Sequence, residues 1–279
     1  MRCSHPIDLC SHREPGLVSI ARVLLLLIAS LLSTQHATAE PEAAAKTLRV
    51  AYIEFPPITY QKADGTPAGS FIELTRKVAN EAGYEPEFVY LPLSRTYLYL
   101  SNGGIDVWPG VTEVPNLEHE VLESWVSPFS AQLSAWYRED SPALDHFDQL
   151  QGKQVIVIGG YTYGGLLPWL EQQAGIRVTE APNHRSAVDM LKRKRGDYLL
   201  DYRQPVKEIL TEPSDSVIRE SEVRSRNAAW IFSLANPRAA LLREEFDDAY
   251  LRLVEKGEVP PVREITGGYV VPGFPEALR

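Results

Sequence analysis

The chain has 279 residues, of which 44% are hydrophobic and 23% charged, with a formal charge of −9 at pH 7. An acidic balance of this kind excludes the basic face that a nucleic-acid partner requires, and the hydrophobic share is that of an ordinary globular protein. The only two cysteines, Cys3 and Cys10, stand at the extreme start, so the rest of the chain has no disulfide and no thiolate chemistry.

The first segment reads as a sorting signal. Arg13 and Arg22 precede an apolar run over 23–32, and Ala37-Thr38-Ala39 follows as a small-x-small cleavage pattern. That run is about half of the roughly 20 apolar residues a membrane anchor needs. Residues 1–39 are therefore expected to be a cleavable leader for export to the periplasm. No cysteine follows the run where a lipid could be attached. Removing the leader takes away three arginines, one Asp and one Glu, which leaves a net charge of about −10 on about 240 residues. That length is generous for one small domain and natural for two lobes.

The opening unit spans 48–83. Leu48, Val50 and Tyr52 alternate with smaller or polar neighbours as a strand does, and Pro56-Pro57 ends the ladder because neither can donate to it. Asp64-Gly65 is a turn. Ser70 and Glu73 form a capping-box pattern ahead of Phe71, Leu74, Val78 and Ala82, so a helix is expected from Ser70 with Gly83 as its left-handed stop. A strand over 87–91, a short helix over 94–102 closed by Gly103-Gly104, and a buried strand over 105–108 follow. Residues 134–138 look extended and lead into the acidic loop 139–148, the expected passage to a second lobe.

The second lobe repeats this logic. Residues 155–158 are a continuous apolar run, as in a sheet covered on both faces, and the glycine-rich loop 159–165 follows. A helix over 166–174, a strand over 176–180, a helix over 184–195 and a buried strand over 198–201 come next. A strand over 230–234 precedes one long helix over 237–256, with Leu241, Leu242, Phe246, Tyr250, Leu253 and Val254 on its apolar side. Alternating β and α patterns predict an α/β protein of mainly parallel sheets with right-handed crossovers. The expected lobes are 40–137 with 231–279, and 138–230, joined by two crossings that act as a hinge.

In order, "LRVAYIEFPPITY", "LSNGGIDV", "SPFS", "LQGKQVIVIGGYTYGGL", "RGDYLLDY" and the helix before "EKGEV" resemble the family-3 solute-binding proteins of polar amino-acid uptake. The resemblance implies the two-lobe, type II periplasmic-binding-protein fold. It also implies a monomeric receptor that closes on a small polar solute, an amino acid or related amine, and delivers it to an inner-membrane ABC permease. Phe55 matches the family's ligand-stacking aromatic, and Asp201 the acid that receives an α-ammonium. The family's carboxylate-clamping arginine has no counterpart, because the matching stretch, 110–120, contains none. Leu and Glu cannot replace a bidentate guanidinium.

Candidate ligand contacts are weighed against plainer roles. Phe55 is a ligand platform or inter-lobe filler, and Trp108 is cleft wall or core. Tyr161, Thr162 and Tyr163 lie in the glycine-flanked loop, which has no Gly-Lys-Ser/Thr ending of a phosphate loop and is either a ligand contact or a tight turn. Arg95 and Arg203 are replacement carboxylate anchors or surface ion pairs. Asp201, ending an apolar strand, needs a partner because burying it alone is costly. The basic run 192–195 reads as the solvated end of a helix. His119, His146 and His184 show no metal-ligand spacing, so no metal and no cofactor is expected. A dehydratase of the arogenate or prephenate type on the same scaffold would use Glu54, Glu113 or Glu118 as its acid. A ligand sensor is the third reading.

Overall fold

The computed structural model describes residues 46–115, 117–262 and 268–278. The leader, Cys3 and Cys10 lie outside them. From Lys46 onward the described chain belongs to one compact unit.

The elements, in chain order, are β1 (Lys46–Tyr52), α1 (Ser70–Glu81), β2 (Tyr84–Tyr90), α2 (Leu93–Asn102), β3 (Val107–Val111), β4 (Val121–Glu123) and β5 (Phe129–Arg138). Then come β6 (Gln154–Ile158), α3 (Leu166–Glu171), β7 (Arg177–Ala181), α4 (His184–Lys192), β8 (Tyr198–Tyr202), α5 (Arg203–Ile209), β9 (Ile218–Ser233) and α6 (Ala239–Glu255). One curled sheet runs β2-β1-β3-β9-β5-β8-β6-β7, with β4 beside β9. Its two ends are parallel: β1 pairs β2 and β3, and β6 pairs β8 and β7. Its middle is antiparallel, where β9 pairs β3 and β5 and β5 pairs β8. Two parallel α/β halves are thus joined by two long strands. This is the two-lobe, type II periplasmic-binding-protein fold, and the sheet continues through the junction.

The first half packs around Trp230 of β9. Its indole lies 5.6 Å from the Phe71 ring of α1 and 5.7 Å and 5.9 Å from Phe246 and Tyr250 of α6. Arg49 on β1 ties the helix end to the sheet, its guanidinium donating to Asp106 Oδ1 at 2.8 Å and to the Gly103 and Gly104 carbonyls at 2.9 Å. Burial alone would raise the Asp106 pKa, yet Arg49 outweighs it and holds the carboxyl below its ordinary range.

Helix α1 begins at the expected residue but not with the expected cap. Gly69, at φ 118°, is the N-cap, and no side chain caps the helix. The carbonyls of Pro57 and Ile58 take the amides of Ser70 and Phe71 at 3.2 and 2.9 Å. The proline loop therefore does the work assigned to the Ser70 hydroxyl. A Cβ on Gly69 would fall 2.2 Å from the Ile58 oxygen, so only glycine fits.

The end of the chain packs against the second half. Val271 donates to the Val223 carbonyl at 2.8 Å, Phe147 donates to Pro272 at 2.7 Å, and the Phe274 ring sits 5.2 Å from Phe147.

Candidate functional site

Where the two halves meet beside β5 and β9, a cavity forms with aromatic walls. The first half contributes Ile53, Phe55, Tyr97, Trp108 and Gly110, and the second contributes Tyr161, Thr162, Tyr163, Gly164 and Tyr202. Arg226 of β9 closes its hinge side. About 50 Å³ is open to water. That is room for a few waters, since one needs roughly 10–15 Å³, so admitting an organic solute requires the walls to part.

Local chemistry places each wall. The Phe55 amide donates to the Thr59 carbonyl at 2.7 Å, while the Thr59 hydroxyl donates to Ile53 O at 3.0 Å. This proline-stiffened turn carries the buried Phe55 ring to within 5.2 Å of Tyr202. On β3, a Cβ at Gly110 would lie 2.1 Å from Cζ2 of Trp108, so glycine is what lets the indole lie over its own strand. In the loop after β6, Tyr163 at φ 51° leads into Gly164 and Gly165 at φ 67° and 86°. The Tyr163 hydroxyl accepts the Ile158 amide at 2.7 Å, and its ring stacks on Tyr202 at 5.8 Å. The left-handed run turns the chain at the end of β6 so that tyrosines, rather than backbone, face the first half. Burial drives the Tyr161 and Tyr163 phenols well above their ordinary pKa, so both stay neutral.

A polar lock closes the seam beyond these rings. Asp201, fully buried at the end of β8, accepts from Nδ1 of His184 and from the Tyr202 amide, each at 2.7 Å. Across the seam, the Tyr161 hydroxyl donates to the Glu54 carbonyl at 3.2 Å, and Nε2 of His184 lies 3.4 Å from the same oxygen. Burial works against a charged His184, but the Asp201 carboxylate and the Glu54 carbonyl outweigh it and raise its pKa. Outside the lock lies a wider cleft of about 670 Å³, bordered by Glu54, Tyr90, Ser94, Asn183 and Arg185.

Of the candidates read from the sequence, Phe55, Trp108, Tyr161, Thr162 and Tyr163 come together around the inner cavity. Asp201 sits behind the wall with its carboxylate already bonded. Arg95 is exposed on α2 and borders neither space. Arg203 is half-exposed and bonds Gln132 Oε1 at 3.1 Å, with Glu220 at 3.5 Å, which makes it a surface ion pair. The sequence reading missed Tyr97, Tyr202, His184, Arg224 and Arg226. The arginine pair carried a signal, because two residues spaced by two share one face of a strand. Among the described residues, no group of three or more His, Cys, Asp or Glu could hold a metal, and no helix is long and apolar enough to cross a membrane.

Known proteins place the fold. An ancestral arginine-binding protein bound to arginine matches with a TM-score of 0.65 at 22% identity, over 77% of this chain and 95% of that one. A histidine kinase sensor domain with similarity to periplasmic binding proteins matches at 0.66 and 20% identity, over 77% and 93%. A substrate-binding protein of an ABC uptake transporter from Streptococcus pneumoniae, with bound histidine, matches at 0.61 and 17%, over 76% and 88%. At these identities the likeness speaks for the fold alone. No curated protein sequence matches. The sequence model of one family does match, over residues 48–264, most of the chain and both halves of the sheet. The chain belongs to the bacterial extracellular solute-binding proteins, family 3.

Proposed function

We propose that the protein is a periplasmic solute receptor, exported by the leader 1–39 and acting as a monomer that closes two lobes on one small solute. An ABC permease of the inner membrane then receives the solute. The lobes are those expected from the sequence, except that residues 268–278 are assigned to the second because they pack on it. The observation that carries this reading is a cavity walled by both halves, against the two strands that join them, and sealed by a lock made across the seam. Ligands of open α/β sheets bind outside the carboxyl ends of the strands, where Phe55, beyond β1, and the 161–165 loop, beyond β6, lie.

A sensor that reports its solute to a signalling partner is the second reading, favoured by the likeness to a kinase sensor domain. Catalysis finds less support: the acids a dehydratase would use, Glu54, Glu113 and Glu118, do not line the inner cavity.

The test is a melting-temperature screen on protein refolded from denaturant, which strips any retained solute. A binder present at a hundred times its dissociation constant should add about 2.7 kcal/mol of stability. No shift from any amino acid, amine or small carboxylate would count against a receptor.

A further inference from the structure

The charges on the inner cavity say what kind of solute it takes. Among the described residues lining it, Arg226 is the one that carries a charge; the rest are apolar, aromatic, hydroxyl-bearing or glycine. Arg226 and Arg224 lie on the same face of β9, with side chains only 8% and 10% exposed. A Cβ on Gly164 would fall 2.4 Å from Nη1 of Arg226 and 3.4 Å from Nη1 of Arg224, so both guanidinium groups abut the glycine-rich loop. Glu113 is the one acid, among the described residues, at ion-pair distance from either, 3.6 Å from both, and its own side chain is 70% exposed. Among the described residues, two buried cations face one solvated carboxylate, which leaves a positive charge uncompensated there, and an unpaired buried charge is costly. Burial and the neighbouring Arg226 charge both press the Arg224 pKa downward.

Hydrogen bonding points the same way. Nη2 of Arg226 donates to the Thr112 and Glu113 carbonyls, but its Nε is buried without a partner, and so is the indole Nε1 of Trp108. Both residues border the cavity, and both orphans are donors. Among the described residues no acid lines the cavity to receive an ammonium group, since Asp201 is bonded to His184 behind the wall.

We infer that the solute is a monocarboxylate with a flat, apolar body and no ammonium group, anchored by Arg226 with the Trp108 indole N–H as second donor. This rests on the receptor reading and replaces the amino acid or amine expected from the sequence. The anchor has moved from the loop after β3 to a strand of the hinge, so neutralising it acts on the junction between the halves.

Calorimetric titration of the refolded protein with benzoate, phenylacetate and cyclohexanecarboxylate tests this, with benzamide and phenylacetamide as neutral matches and arginine, histidine and glutamine as amino acids. At least one carboxylate should bind, its amide at least tenfold more weakly, and the amino acids not at all. Arg226→Gln should weaken carboxylate binding at least tenfold, Arg226→Lys less, and Trp108→Phe several-fold. Arg177→Gln, an equal change of charge on exposed β7, should leave binding unchanged. Unfolding curves show whether each variant is folded, and the amide comparison needs no variant. Carboxylates that do not bind, or that bind Arg226→Gln equally well, would overturn the inference. Binding of an amino acid in their place would overturn it and leave the receptor standing. Failure of every compound would overturn it too, and the hinge would then be judged by its own motion.

Discussion

Asp201→Ala is expected to lower stability by about 3–5 kcal/mol, because it removes one partner from a buried ionic pair and leaves the other uncompensated. The carboxylate is fully buried and bonded to both His184 and the Tyr202 amide, and the Asp201 carbonyl also accepts from Nε1 of Trp136 at 3.2 Å. The loss depends on pH, with a definite sign. The folded-state pKa of His184 is raised above its ordinary 6.5, so its contribution is fully present below that value. It disappears as pH rises through the folded-state value. In Asp201→Ala burial, the Glu54 carbonyl and the Glu54 charge remain, and burial, the largest of the three, disfavours the cation. Urea unfolding at about pH 5 should therefore separate the wild type from the variant more widely than at about pH 9. An equal difference at both would mean that His184 is not held as a cation. Because His184 and Tyr161 reach the Glu54 carbonyl together, the acidic side of this range is also where the seam is held most firmly.

Trp230→Ala should cost a similar amount, roughly 3–5 kcal/mol, in the other half. The indole is fully buried among Phe71, Phe129, Phe232, Phe246 and Tyr250. Its N–H donates to the hydroxyl of Thr75, itself fully buried, at 2.9 Å. Truncation leaves a void the size of an indole and a buried hydroxyl without its donor. The helices α1 and α6 that would have to collapse into the void already pack on one another and on the sheet, so relaxation is limited. Trp230→Phe, which keeps most of the volume and loses only the hydrogen bond, should cost about 1–2 kcal/mol. A loss below 1 kcal/mol for the alanine variant, read from urea midpoints, would show that this side of the sheet is not packed as described.

How much of this could be read from the sequence depends on the kind of signal. Runs such as Val155–Val157 and Leu199–Leu200 are buried on both faces and stand out without context. So do amphipathic helices such as α1 and α6, whose periodic apolar residues need only one packed side. The joining strands are different. β5 reaches back to Phe129 and β9 to Ile218, well before the expected starts near 134 and 230, through polar stretches such as Glu220–Arg226. Val223 apart, which is buried in the core, these residues are polar on both faces of the strand, so their alternation has no hydrophobic contrast. The register shift between Glu222 and Arg224 breaks even that period. The spacing of Arg224 and Arg226 by two was the signal left, and without a hydrophobic frame around it the strand and the charge of the cavity were missed. α5 was also missed, because Arg203–Ile209 is short and contains Pro205. The aromatic walls were legible, since Phe55 before two prolines and the tyrosines in a glycine-rich loop are poor choices for an ordinary turn. The role of Asp201 was not, since its partner His184 stands 17 residues away on another element.

The central claim is that the two halves move about β5 and β9. It is tested most directly by spin-label distances between Leu98→Cys on α2 and Asp189→Cys on α4. Both positions are exposed, on helices of opposite halves whose first residues border the outer cleft, in a chain whose Cys3 and Cys10 are replaced by serine. Protein refolded from denaturant should show a distance distribution longer and broader than the closed structure gives, and a bound solute should return it to the closed value. A single narrow distance at the closed value, unchanged by stripping or by any solute, would contradict the account.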